Sequence, residues 1–108
     1  MSILSFEQQT VAHTHSLIRS AAKRFRILIP EPEIRFDLRG KAAGMVVFYP
    51  KRKQVIRYNR KMLAENGQVF IDQTVPHEVA HLVARFLHGP SGSHLFMPPL
   101  RLSAATAA

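Results

Sequence analysis

The chain has 108 residues, no cysteine and a formal net charge of +8 at pH 7, and 46% of its residues are hydrophobic. This length gives room for one modest core, and the absence of cysteine excludes disulfides and cysteine-ligated metal sites. No apolar run approaches the roughly 20 residues that cross a bilayer, and residues 1–7 lack the pattern of a secretory signal. We therefore expect a cytoplasmic protein with no membrane partner.

The first predicted element is an amphipathic helix over Phe6–Phe25. Ser5 is placed to cap it, and Gln8 stands three residues later at the capping-box position. Apolar residues recur along this segment at three- and four-residue spacing, which predicts one core-facing stripe. Pro30 and Pro32 then end the helical pattern and force an extended approach to the next element.

Three strands are predicted after this helix. Residues 33–38 alternate strictly between polar and apolar types, as a half-buried strand does. A short apolar run covers residues 45–49, and residues 54–58 have the pattern of a third strand. Residues 40–44 and 50–53 have the composition of turns. Because parallel neighbours need a long crossover, this tight spacing favours an antiparallel three-stranded sheet.

Two helices are predicted after the strands. Asn59 is placed to cap a short helix through Glu65, which Gly67 ends. A longer helical pattern covers residues 69–87, in which Pro76 indicates a boundary or kink near residues 72–75. Gly89 ends that helix. We expect a folded domain over residues 1–90 and an altered or disordered tail over residues 91–108, which lack periodicity.

The excess positive charge is concentrated in one strip between residues 51 and 61, which holds no acidic residue. Its members are Lys51, Arg52, Lys53, Arg57, Arg60 and Lys61. Such a strip favours a polyanionic partner, most often nucleic acid, so we expect DNA contact through these residues. The alternative is a solvated face that only keeps the protein in solution.

The candidate catalytic and metal-binding residues lie in the segment His77-Glu78-Val79-Ala80-His81, which we call the pentad. Histidines four residues apart lie on one face of a helix, so both imidazoles can reach one zinc ion at about 2.0–2.1 Å. Glu78 stands beside that face, where it can act as the general base. The alternative is a pair of surface histidines next to an exposed glutamate.

A catalytic zinc site needs a third protein ligand, and the two downstream candidates are His88 and His94. On a continuous helix His88 lies about 10 Å further along the axis than His81, too far to share the metal. Residues 89–93 can span at most about 16–18 Å, enough to return His94 to the site. We therefore predict His94 as the third ligand, the alternative being a loop histidine with no role.

The pentad and its surroundings resemble the SprT-like metallopeptidase family. The resemblance covers residues 6–89 and is carried by residues 74–84, 34–44 and 56–59. It implies an α+β fold of zincin type, with a leading helix, a three-stranded sheet and the helix of the pentad. It also implies zinc on His77, His81 and a later histidine, with Glu78 as base. Eukaryotic relatives of this family cleave proteins crosslinked to DNA.

The C-terminal end departs from the family pattern. The third ligand of the family usually sits in a His-Gly pair on a helix, whereas here Leu95 follows His94 and two prolines follow at residues 98–99. Many bacterial members also carry a cysteine-rich zinc ribbon, for which this chain has no cysteine. We therefore expect a C-terminus that is truncated or altered after about residue 90.

These features predict a zinc-dependent metallopeptidase that hydrolyses peptide bonds of protein substrates, DNA-associated proteins among them. One alternative is an inactive family member that binds zinc weakly, and another is a basic nucleic-acid-binding module. A peptidase of this kind also needs a group that stabilises the oxyanion. Tyr49, Tyr58 and Arg85 are equal candidates for that role.

Overall fold

The computed structural model describes residues 5–89. Its elements are α1 (Phe6–Phe25), β1 (Glu33–Leu38), β2 (Gly44–Val47), β3 (Val55–Asn59), α2 (Arg60–Asn66) and α3 (Gln68–His88). Three helices and a three-stranded sheet make the predicted α+β fold. Within this part of the chain no helix is both long and apolar enough to cross a membrane. The predicted tail over residues 91–108 and the predicted ligand His94 lie outside the described residues.

α1 begins where its sequence signals predict. The Ser5 Oγ accepts a hydrogen bond from the Gln8 N–H at 3.1 Å, and the Gln8 Oε1 accepts one from the Ser5 N–H at 2.9 Å. This reciprocal pair is a complete capping box. Arg26 ends the helix in the left-handed region, with φ 54° and ψ 45°. The buried row of α1 consists of Thr10, Thr14 and Ile18.

The sheet is mixed, so the antiparallel arrangement predicted for all three strands is wrong. The strand order is β1-β3-β2, with β1 parallel to β3 and β2 antiparallel to β3. Successive strands β1 and β2 do run in opposite directions, but β3 is inserted between them. The connection over residues 39–43 therefore passes across the end of β3 instead of forming a tight hairpin turn.

Asn59 holds that connection in place. Its Nδ2 donates to the carbonyls of Gly40 and Ala42, both at 3.0 Å, and its backbone N–H donates to the Ala43 carbonyl at 2.8 Å. The Oδ1 of the same side chain accepts from the Met62 N–H at 3.1 Å, which makes it the predicted cap of α2. One buried side chain thus joins the β1–β2 connection, β3 and α2.

The core lies between the inner face of the sheet and the helices α1 and α3. Tyr58 is at its centre, fully buried, with its ring centroid 5.9 Å from those of Phe36 and Phe70. The Tyr58 hydroxyl lies 2.8 Å from Thr14 Oγ1, which itself donates to the Thr10 carbonyl at 2.7 Å. Because a threonine hydroxyl has one hydrogen, the Tyr58 hydroxyl is the donor in this pair.

α3 runs without a break from Gln68 to His88. Of the boundary or kink predicted near residues 72–75, the boundary is therefore wrong, and the kink stays a prediction. Pro76 lies inside the helix and removes one backbone donor, which leaves the Asp72 carbonyl without its helical partner. Both residues are exposed, so water can satisfy that carbonyl. Gly89 ends the helix with φ 65°, as its residue type predicts.

Candidate metal centre

His77 and His81 lie on the same side of α3. Their ring centroids are 4.9 Å apart and their ring planes are inclined by 74°. Two imidazoles on one tetrahedral zinc ion, each with a Zn–N distance of about 2.0–2.1 Å, have ring centroids roughly 5 Å apart. The two side chains are half-buried. The pair is therefore spaced to share one ion and is partly exposed to solvent.

The environment of His81 favours the form of imidazole that binds metal. Burial lowers the pKa of His81, and the neighbouring His77 lowers it further. A histidine ligand must present an unprotonated nitrogen to the ion, so a lowered pKa reduces the competition between protons and metal.

Glu78 lies on the core-facing side of α3 and is only 2% exposed. Burial raises the pKa of its carboxyl from 4.5 to about 7, and its Oε2 is closed to solvent without a hydrogen-bond partner among the described residues. An exposed glutamate beside two surface histidines, the alternative raised by the sequence, does not describe this side chain. A buried carboxyl that titrates near neutral pH suits a general base.

Gly44 provides the space that the Glu78 side chain occupies. A Cβ at Gly44 would lie 2.7 Å from Cγ, 2.9 Å from Cδ and 3.0 Å from Oε2 of Glu78. Gly44 is the first residue of β2, opposite Tyr58 on β3, and its φ is not positive. The sequence suggested a turn at this glycine. The structure shows a strand residue that must lack a side chain because a carboxylate fills its place.

The three candidate oxyanion residues are not equivalent in the structure. Tyr58 is fully buried and its hydroxyl donates to Thr14, so it belongs to the core and cannot reach a substrate. Burial above all, with the nearby Glu78, raises the pKa of Tyr58. Tyr49 and Arg85 are only half-buried, and Arg85 lies over the Phe48 ring at 4.7 Å from its centroid.

Residues 5–89 contain no group of three or more histidine, aspartate or glutamate side chains arranged around one metal position. A three-ligand site built on His77 and His81 thus requires a residue beyond this part of the chain. The predicted ligand His94 lies there. Its place as a ligand stays a prediction.

The basic strip runs along the chain through β3, with three members before the strand, Arg57 within it, and Arg60 and Lys61 after it. Arg57 donates to Asp37 Oδ1 at 2.8 Å, and the Arg60 Nε lies 2.9 Å from Glu7 Oε2, so these two charges are paired. Three exposed residues before β3 take part in no ion pair within the described part of the chain. This turn triad consists of Lys51, Arg52 and Lys53.

Comparison with known proteins defines the class to which this fold and pentad belong. The profile of the SprT-like family matches residues 9–95, a range that includes His94. The chain belongs to the SprT-like family. No solved structure matches it.

Several bacterial proteins, each called Protein SprT, are similar in sequence. The one from Pseudomonas paraeruginosa (strain DSM 24068 / PA7) is 38% identical over 79 residues, which are 73% of this chain and 46% of that protein. The one from Pseudomonas putida strain F1 is 37% identical over 82 residues, 76% of this chain and 48% of its own. A third, from Pseudomonas putida strain GB-1, is 43% identical over 67 residues, 62% and 39% of the two chains. The chain thus spans about half the length of the curated relatives it matches.

Proposed function

We propose that this chain is a zinc-dependent peptidase domain that hydrolyses peptide bonds in protein substrates. The observation that carries the proposal is the buried carboxyl of Glu78, which directly follows the first of two imidazoles spaced for one metal ion. An ordinary surface helix gives no reason to bury a carboxylate without a partner, because the desolvation cost is high. Membership of the SprT-like family supports the same conclusion.

The donor set fits zinc. His77 and His81 would hold the ion, with His94 as the third ligand that the family resemblance implies. Nitrogen ligands and a nearby carboxylate that is not itself a ligand are typical of catalytic zinc. When bound, zinc polarises the scissile carbonyl and lowers the pKa of the attacking water towards neutral pH.

Glu78 would move the proton in this reaction. Because Oε2 is closed to solvent, the exchange takes place at the other carboxylate oxygen, Oε1. A carboxyl with a pKa of about 7 can accept a proton from the attacking water and return it to the leaving amine at the same pH. Gly44 keeps this carboxylate against the strand, where it is shielded from bulk water.

Metal analysis of the purified protein tests the site. We expect about one equivalent of zinc in the wild type and none in the double variant His77→Ala/His81→Ala. His88→Ala is the control, because this exposed histidine lies at the end of the same helix. Stoichiometric zinc in the double variant would show that the metal is held elsewhere.

Glu78→Gln separates the base from the ligands. It should keep the zinc and lose hydrolysis of labelled casein, because the side chain acts on protons and does not coordinate the ion. Loss of zinc in this variant would make Glu78 a ligand or a structural support. If the wild type binds zinc weakly and cleaves no protein, the chain is instead an inactive member of the family.

His94 is tested by competition against a chelator. Its replacement by alanine should weaken zinc affinity by about 10–100-fold or more, since two imidazoles alone leave the ion poorly held. Equal affinities in wild type and His94→Ala would remove this histidine from the site.

We further propose that the turn triad binds DNA phosphates. The supporting observation is that these three basic side chains are exposed and free of ion pairs within the described residues, unlike Arg57 and Arg60. Such contact would be independent of DNA sequence, because phosphates carry no base information.

A further inference from the structure

Within residues 5–89, three buried threonines lie on helices, and one of them differs from the other two. The Thr10 hydroxyl donates to the Phe6 carbonyl and the Thr14 hydroxyl donates to the Thr10 carbonyl, each at 2.7 Å across one helical turn. This is the usual way in which a helical threonine satisfies its hydroxyl. Thr74 is equally buried on α3, yet its Oγ1 makes no hydrogen bond with any described residue.

A second unpartnered atom lies one turn further along α3. Oε2 of Glu78 is also closed to solvent and without a partner in the described part of the chain. Residues four apart on a helix share a face, and Thr74 and Glu78 belong to one core-facing row. The row consists of Phe70, Thr74, Glu78 and Leu82.

Two such orphans on one face are complementary. An unsatisfied buried polar group costs about 1–3 kcal/mol, and more if it is charged. A hydroxyl can donate and a carboxylate can only accept, so one enclosed water between the two atoms would satisfy both. Tyr58 cannot replace Thr74 as donor, because the hydrogen of its hydroxyl is already given to Thr14.

We propose that Thr74 is a positioning residue for Glu78, whose carboxyl it holds through one enclosed water molecule that bridges Thr74 Oγ1 and Oε2. This inference rests on the proposed function of Glu78 as the base. With Oε2 held against the core, Oε1 is the oxygen presented for proton transfer. Thr74 itself touches neither the substrate nor the metal.

Infrared spectroscopy of the zinc-free protein at about pH 5, where Glu78 is protonated, tests the hydrogen bond directly. The C=O stretching band that disappears in Glu78→Gln belongs to this carboxyl. Thr74→Val should shift that band to higher frequency, because it removes the donor and keeps the shape. Thr74→Ser should restore it. Thr10→Val is the control, since that hydroxyl bonds to a helix carbonyl in α1 and should leave the band unchanged.

Activity supplies an independent measurement. On labelled casein, the zinc-loaded Thr74→Val protein should show a kcat about 10-fold lower at unchanged KM, with recovery in Thr74→Ser. If casein is not cleaved by the wild type, the proposed function fails, whereas a shifted band still establishes Thr74 as the partner of Glu78. An unchanged band in Thr74→Val overturns the inference even in an active enzyme. Thr74→Ala replaces Thr74→Val if the valine variant does not fold.

Discussion

Gly44 and Glu78 share one space in the interior, since the place of a Cβ on the glycine is taken by the glutamate side chain. We expect Gly44→Ala to lower the free energy of unfolding by about 1–3 kcal/mol, the usual cost of overpacking a core. Urea unfolding measures this cost.

The control for Gly44→Ala is the same change in a Glu78→Ala background, which removes the three atoms nearest to the new methyl group. There the cost should fall to within about 0.5 kcal/mol, so the two substitutions are strongly non-additive. An equal cost in both backgrounds would mean that Gly44 is required for another reason.

Burial of Glu78 also gives the metal-free protein a defined pH dependence. Its carboxyl pKa is about 7 in the folded state and near 4.5 when exposed. Below pH 4.5 both states are protonated. As the pH rises towards 7, the unfolded state releases its proton first, so the free energy of unfolding falls by about 3 kcal/mol over this range.

Urea unfolding in the presence of a chelator, at several pH values, measures this fall. Glu78→Gln cannot titrate, so its curve should lack this component. The difference between the two curves also removes the opposite contribution of His81, whose lowered pKa costs stability as the pH falls. A difference that does not change between pH 4.5 and 7 would contradict the assignment.

The placement of His77 and His81 on one face of a helix could be predicted from the sequence, whereas the surroundings of Glu78 could not. His77 and His81 are related by helical periodicity alone, which is a local property. The contact of Gly44 with the Glu78 side chain joins a strand and a helix that are far apart in sequence, and no local pattern reports it. The sequence did contain one signal that Glu78 has a special environment. Both Thr74 and Glu78 interrupt an otherwise apolar row on α3.

At the scale of elements, Asn59 joins strand β3, helix α2 and the connection between β1 and β2. Asn59→Asp keeps an oxygen to cap α2 but replaces the Nδ2 donor with an acceptor that faces the Gly40 and Ala42 carbonyls. We expect a loss of about 2–4 kcal/mol in the free energy of unfolding, because a buried charge is left against two acceptors.

Ser5→Ala is the comparison for this change. It removes a helix cap at an exposed position and should cost about 1 kcal/mol. If Asn59→Asp proves no more harmful than Ser5→Ala, then Asn59 is only a cap and the bonds to the connection contribute nothing.

The ends of the elements were predictable because caps are local. In their capping role, Ser5, Asn59, Gly67 and Gly89 all act on backbone groups within a few residues. The strand order could not be predicted in this way, because the pairing of β1 with β3 depends on contacts between strands that are distant in sequence. The helix boundary predicted from Pro76 is absent because Pro76 lies on an exposed face of α3. There water can replace the missing backbone donor, which a buried face would not allow.

At the scale of the whole molecule, the distribution of the exposed basic residues determines which surface would contact DNA. If the turn triad binds DNA, then replacing Lys51, Arg52 and Lys53 with alanine should reduce the slope of log K against log salt by about 2–3, since each phosphate contact contributes about 0.9. Fluorescence anisotropy at several salt concentrations gives this slope.

A second triple variant with the same change in net charge is the control. Arg39, Lys41 and Lys61 are exposed and lie beyond the opposite end of the strands. Their replacement should alter the slope less. Equal losses would show that net charge alone attracts DNA, and no binding at 50 mM salt in the wild type would exclude this partner.

The position of β3 between two earlier strands also governs how the chain can fold during its synthesis. β2 and β3 are neighbours in sequence and can pair as soon as both have been made. β1 is made first, yet its partner is the last strand to appear. A nascent chain that ends before Val55 therefore holds β1 with both edges unpaired, exposed to wrong pairing until the central strand arrives.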